Sequence, residues 1–142
     1  EDRILDLALG ERGKLSLFAP HMYEPETNVL YRNEGGLRFT DVTRDSGVQD
    51  ETGRTLGVVF QDLDRDGFAD LFVANDESPN RLFLGRGDGT FVDHSASARM
   101  YDARASMGTA VADFDHDGWL DLVYTNFRTE YNVLALNRLQ QG

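Results

Sequence analysis

Short apolar runs alternate with clusters of Asp, Asn and Gly along most of the chain. The runs are four to six residues long and rich in Val, Phe, Leu and Tyr. Runs of this length, bounded by turn formers, predict β-strands. No heptad and no sustained 3.6-residue stripe is present, so long helices are not expected. The pattern also repeats. GVVFQDLDRDGFADLFVAN (Gly57 to Asn75) aligns without gaps on GTAVADFDHDGWLDLVYTN (Gly108 to Asn126) at a constant offset of 51. The identical pairs are Gly57/Gly108, Asp62/Asp113, Asp64/Asp115, Asp66/Asp117, Gly67/Gly118, Asp70/Asp121, Leu71/Leu122 and Asn75/Asn126.

A second segment recurs at an offset of 52: NVLYRNEGGLRFTDVT (Asn28 to Thr43), NRLFLGRGDGTFVDHS (Asn80 to Ser95) and NVLALN (Asn132 to Asn137). One unit therefore reads as apolar strand, acidic loop, apolar strand, linker, Asn-x-Leu strand, glycine-rich turn and a short strand around Phe39 or Phe91. Asp88-Gly89, between RLFL and TFVD, is a hairpin signal because both residues tolerate positive φ. Four antiparallel strands in about 51 residues make one blade of a β-propeller, so the fold class expected is all-β. At 142/51, or about 2.8 blades, the chain cannot close a ring alone. It is expected to be part of a larger propeller or a subunit completed by other copies of itself, since an unpaired blade edge invites strand addition. The first ten residues, EDRILDLALG, fit the tail of a third acidic loop, with Asp2 and Asp6 matching Asp66 and Asp70; a rival register puts Glu11 to Phe18 at that loop, without ligands.

Twenty-five Asp and Glu against 14 Lys and Arg give a net charge of −11. That charge repels phosphate backbones and anionic membranes and favours cations, so no nucleic acid partner is expected. Without cysteine, neither disulfides nor thiolate metal sites contribute. No apolar run approaches the roughly 20 residues needed to span a bilayer, so no membrane insertion is expected. The opening residues also lack the basic start and apolar core of a signal peptide, which implies that any signal was removed or lies elsewhere.

The acids recurring at fixed spacing carry the candidate chemistry. Each loop presents carboxylates at positions 1, 3, 5 and 9: Asp62, Asp64, Asp66 and Asp70, then Asp113, Asp115, Asp117 and Asp121. Four negative groups in nine residues repel one another, and a divalent cation neutralises them. Gly67 and Gly118, at position 6, allow the sharp turn that would aim the carbonyl of Phe68 or Trp119 inward. A donor set of hard oxygens favours calcium over zinc or copper, and over magnesium with its stricter octahedron. Two Ca2+ sites are therefore expected. An EF-hand starts alike but needs a bidentate Glu at position 12, where this chain has Val73 or Tyr124. The residues that follow, DLFVAN and DLVYTN, are strand-like, so the ion would clip a β-hairpin.

The two 19-residue segments resemble FG-GAP (VCBS-type) repeats, as in integrin α-chain propellers, and NVLYRNEGGLRFTDVTRDSGV is similar to the ASPIC/UnbV group of bacterial and cartilage secreted proteins. The resemblance spans Asn28 to Asn137. It implies a propeller of typically seven blades, calcium in inter-strand loops and an extracellular, usually non-enzymatic role as a scaffold or as an adhesion or interaction module. The Phe-Gly and Gly-Ala-Pro signatures survive only as Gly57 and Gly108. On this reading residues 1–142 are a single repeat region with approximate units 1–56, 57–107 and 108–142. Alternatives are a self-assembling subunit of an extracellular ring or filament, and a non-catalytic part of a larger propeller enzyme.

Other features carry less. Arg86-Gly87-Asp88 spells the tripeptide that integrins recognise, but turn geometry accounts for it, since Gly35-Gly36-Leu37 stands there one repeat earlier. His21, His94 and His116 form no catalytic set, with His116 at loop position 4 expected to point away from the ion. Neither Ser46 nor Ser78 has a partnered base at any motif spacing. Phe60, Phe72, Phe83, Phe91, Trp119 and Tyr124 recur at blade positions and are expected in the core.

Overall fold

The computed structural model describes residues 22–138, leaving Asp2, Asp6, Glu11 to Phe18 and His21 outside the described residues. Nine strands follow one another: β1 (Tyr31–Gly35), β2 (Arg38–Asp41), β3 (Thr55–Gln61), β4 (Asp70–Asn75), β5 (Arg81–Gly85), β6 (Phe91–Asp93), β7 (Ser106–Ala112), β8 (Asp121–Asn126) and β9 (Val133–Ala135). They form antiparallel sheets in the orders β1-β2, β3-β4-β5-β6 and β7-β8-β9. The fold is all-β with no closed barrel among the described residues, the arrangement of a partial propeller. By the 52-residue offset, β1 and β2 are the counterparts of β5 and β6. Among the described residues no helix is long and apolar enough to cross a membrane.

The core explains why the sheets stack. Every residue of β4 is buried, because both faces of its sheet are covered. Phe72 and Ala74 join Val59 and Leu82 against Leu122 and Tyr124 of the next sheet, with the Phe72 and Tyr124 rings 5.5 Å apart. Leu71, Val73 and Phe83 face the other way, onto Val48 and Leu30. Burying a Phe side chain such as Phe72 contributes about 2–3 kcal/mol.

The expectation that all six recurrent aromatics are core holds for Phe72, Phe83 and Tyr124, which are buried. It fails for Phe60, which is 55% exposed. Phe60 faces the β1–β2 side, shares a groove with Leu30, Tyr31 and Phe91, and has only two described strands opposite it. Phe91 and Trp119 are half-buried.

Adjacent blades approach closely at their first strands. A Cβ on Gly57 would lie 2.7 Å from the Met107 carbonyl oxygen of β7, so this position has no room for a side chain. Register shifts recur at equivalent places, between Thr55 and Gly57 and between Ser106 and Thr109. The β5–β6 hairpin forms as expected, closed by the Arg86 N–H on the Thr90 carbonyl. Here Gly87 and Gly89 take the positive φ, whereas Asp88 accepts from the Thr90 N–H and hydroxyl. The helical turn Thr43–Ser46 ends on left-handed Gly47 (φ 81°) and is too short to leave a 3.6-residue stripe in the sequence.

Candidate metal centres

The two acidic loops join β3 to β4 and β7 to β8, at the same end of successive blades. Their backbones are near-identical. Position 4 is left-handed in both (Arg65 φ 62°, His116 φ 59°), as is the glycine at position 6 (Gly67 φ 92°, Gly118 φ 89°). A left-handed non-glycine residue costs on the order of 1 kcal/mol, so recurrence of the strain marks a conformation held by the rest of the loop.

The carboxylates hold it. Asp62 accepts the Gly67 N–H (3.1 Å), Asp64 the Asp66 N–H (3.1 Å) and Asp66 the Phe68 N–H (2.8 Å). In the second loop Asp113 accepts the Gly118 N–H (3.0 Å), Asp115 the Asp117 N–H (3.3 Å) and Asp117 the Trp119 N–H (2.9 Å). Position 9 is a buried staple. Asp70 accepts the Leu63 N–H with one oxygen and the Gly85 N–H of β5 with the other, at 2.7 and 2.9 Å. Asp121 repeats this on Phe114 and Asn137, both at 2.8 Å. The Asn137 N–H, outweighing burial and helped by the Phe114 N–H, holds the Asp121 carboxyl below the usual carboxylate range.

Ligand-capable oxygens of Asp62, Asp64 and Asp70 lie within 4.8 Å of one another, and those of Asp113, Asp115 and Asp117 do so in the second loop. The expected quartets thus converge as trios: Asp66 stays outside the first and Asp121 outside the second. Phe68 and Trp119 adjoin the clusters through the N–H bonds above. Among the described residues, the one buried side-chain oxygen without a hydrogen-bond partner is Asp62 Oδ1. Burial and the charges of Asp70, Asp66 and Asp62 push the Asp64 carboxyl up, against the Asp66 N–H that lowers it. A cluster of hard oxygens with mutual repulsion and an orphaned acceptor fits a hard divalent cation.

Sequence reasoning missed what ties the two loops together. Arg65 of the first loop stacks on Trp119 of the second, its guanidinium carbon 4.8 Å from the ring centroid. Asn137 Nδ2 donates to the Leu63 carbonyl (2.7 Å) and to the Leu120 carbonyl (3.1 Å), bridging both loops. At the far end of each blade a hydrogen-bond relay runs with the repeat. Asn28 donates to Thr55 (2.7 Å), and Thr55 to Asn75 (2.7 Å). One blade on, Asn80 donates to Ser106 (3.0 Å), and Ser106 to Asn126 (2.9 Å). The Asn75 and Asn126 N–H groups donate to Asn80 Oδ1 and Asn132 Oδ1. The Asn-x-Leu repeat was a visible signal for these asparagines; their partners across the blade boundary were not.

The FG-GAP-like repeat matches residues 1–73 and again 62–124. This chain belongs to the FG-GAP-like repeat family. Human cartilage acidic protein 1 is 42% identical over 111 residues, covering 78% of this chain and 16% of the human protein. The mouse protein of that name is 38% identical over 132 residues (92% of this chain, 19% of the relative), and that of Xenopus tropicalis 33% over 116 (80% and 18%). The chain therefore spans less than a fifth of the length of these curated relatives. Neither the family description nor the relatives' name is that of an enzyme. As FG-GAP repeats, the two loops occupy equivalent places in successive blades, the first tied through Asp70 to Gly85 at the end of β5 and the second through Asp121 to Asn137, two residues past β9.

Proposed function

We propose that the chain is a calcium-stabilised stretch of an extracellular β-propeller, in which each loop holds one Ca2+ for structural reasons and the blades serve as a scaffold or as an adhesion and interaction module for other proteins. Asp62, Asp64, Asp66 and Asp70 with the Phe68 carbonyl would supply the first site, and Asp113, Asp115, Asp117 and Asp121 with the Trp119 carbonyl the second. The observation that carries this reading is the buried, partnerless Asp62 Oδ1 within a cluster of like charges. The relatives' name, cartilage acidic protein, supports an extracellular setting, where calcium sites of weak affinity are filled. Units of approximately 1–56, 57–107 and 108–142 are the proposed blade divisions.

Calcium bound to the folded state alone stabilises it by about 2.7 kcal/mol per site at a hundredfold excess over Kd. Thermal unfolding with and without a chelator tests this: removal of calcium lowers Tm by roughly 10 °C, and Asp64→Ala and Asp115→Ala each remove part of the calcium-dependent gain. An identical Tm after thorough chelation would sink the proposal.

A second reading, assembly with further blades or with copies of this chain, draws on the edges. Strands β1 and β2 are exposed throughout, and so is Asn132, the counterpart of the Asn28 and Asn80 donors in the relay. Sedimentation of the chain over a wide concentration range decides between the two: growth in mass supports self-assembly, and a monomer throughout removes it.

A further inference from the structure

We propose that the two loops are inequivalent cation sites, because the second carries its own internal competitor: the Arg138 guanidinium occupies carboxylate oxygens that a metal ion would need. This rests on the calcium reading above and deepens it. Arg138 bridges two ligand positions, with Nη2 at 2.9 Å from Asp115 Oδ2 and Nη1 at 3.1 Å from Asp117 Oδ2. A second guanidinium, that of Arg65, lies over Trp119 beside the same loop. Among the described residues, no cation pairs with the first loop's aspartates in this way. The 52-residue counterpart of Arg138 is Arg86, whose backbone closes the β5–β6 hairpin and whose charge acts on Asp88. The first loop also holds the orphaned Asp62 Oδ1, whereas both carboxylate oxygens of Asp113 are bonded, to the Asp117 and Gly118 N–H groups.

Arg138 also accounts for which acids converge. With no guanidinium paired to its carboxylates among the described residues, the first loop gathers positions 1, 3 and 9; with Arg138 paired, the second gathers positions 1, 3 and 5, the last two being those that Arg138 holds. Filling the second site requires the guanidinium to swing out. Arg138 directly follows Asn137, whose amide bridges Leu63 and Leu120, so occupancy of the second loop is coupled to the segment that fastens the two blades. The first loop fills at low cation concentration, and the second at higher concentration with displacement of Arg138.

The single tryptophan makes this measurable. Trp119 belongs to the second loop and meets the first only through the Arg65 side chain. Terbium standing in for calcium therefore emits more strongly from the second loop than from the first when the indole is excited selectively, and Asp115→Ala, which removes a second-loop ligand, assigns the stronger phase. Native mass spectrometry counts the metals in parallel. In the 142-residue chain, the first equivalent binds with little sensitised emission and the second brings the signal. An exposed ion pair is worth about 0.2–1 kcal/mol, so Arg138→Gln, which removes two, strengthens the sensitised phase about two- to thirtyfold and leaves the first equivalent unchanged. Arg138→Lys, with one compact charge instead of a planar fork, falls between. Sensitised emission that comes with the first equivalent, or a sensitised phase unmoved by Arg138→Gln while two metals still bind, overturns the inference and leaves the calcium reading intact. No metal on either folded form overturns both.

Discussion

Asp70 and Asp121 show how one residue type at one loop position serves two purposes. Each spends both carboxylate oxygens on backbone N–H groups, one in its own loop and one beyond the following strand, which fixes the loop on the sheet before any cation arrives. Orphaning buried N–H groups costs on the order of 1–3 kcal/mol. Asp70→Asn is therefore expected to lose about 2 kcal/mol in urea unfolding with chelator present, whereas exposed Asp66→Asn under the same conditions stays near wild type. Equal effects would show that position 9 acts only through the metal. Tyr124 is a second such residue, donating its hydroxyl to Asp102 (2.9 Å). Burial, then the Asp102 carboxylate, pushes its phenol from 10.0 up to about 12. Because the folded form holds the proton more tightly, this stabilisation is complete below pH 10 and is lost as pH rises towards 12. Tyr124→Phe removes it, so the wild-type advantage over the variant is expected to shrink across that window; parallel stability curves from neutral to alkaline pH would refute the assignment.

Between elements, the recurring device is a polar staple across the blade boundary. Asn80 is fully buried, accepts from the Asn75 N–H within its blade, and donates to Ser106 in the next. A side chain held on both sides of an interface sets the blade-to-blade register in a way that apolar contact, which is non-directional, does not. Asn80→Ala leaves the Asn75 N–H and the Ser106 hydroxyl short of a partner, and is expected to cost about 2–3 kcal/mol. A double-mutant cycle with Ser106→Ala, read by denaturant midpoint, should give a coupling of roughly 1 kcal/mol. Strict additivity would mean that the two side chains act independently.

Over the whole molecule, the charge of −11 is the dominant electrostatic fact. Self-repulsion destabilises a compact acidic chain and is screened by salt. With chelator present, Tm is therefore expected to rise by several degrees between low salt and roughly 0.5 M NaCl, where the screening length drops below about 5 Å. With calcium present the rise is expected to be smaller, because bound cations already neutralise the densest clusters. A salt response unaffected by calcium would place the repulsion elsewhere than in the loops.

The sequence by itself determined whatever depends on local spacing. Apolar runs of strand length between turn formers marked the strands, the 51-residue period marked the repeating unit, and the 1-3-5-9 spacing of aspartates marked both loops. These are short-range matters, in which backbone geometry and neighbouring residues set the outcome. Only the tertiary structure decided what lies across a blade boundary. Phe72 is buried against the neighbouring β7–β8 sheet, whereas Phe60, on the β1–β2 side, is exposed. Asp70 and Asp121 became staples because a residue at or just past the end of a later strand, Gly85 or Asn137, offered an N–H to each, and Arg138 reached the second loop from 21 residues beyond Asp117. Such contacts depend on how sheets stack around an axis, and a one-dimensional pattern does not encode that distance.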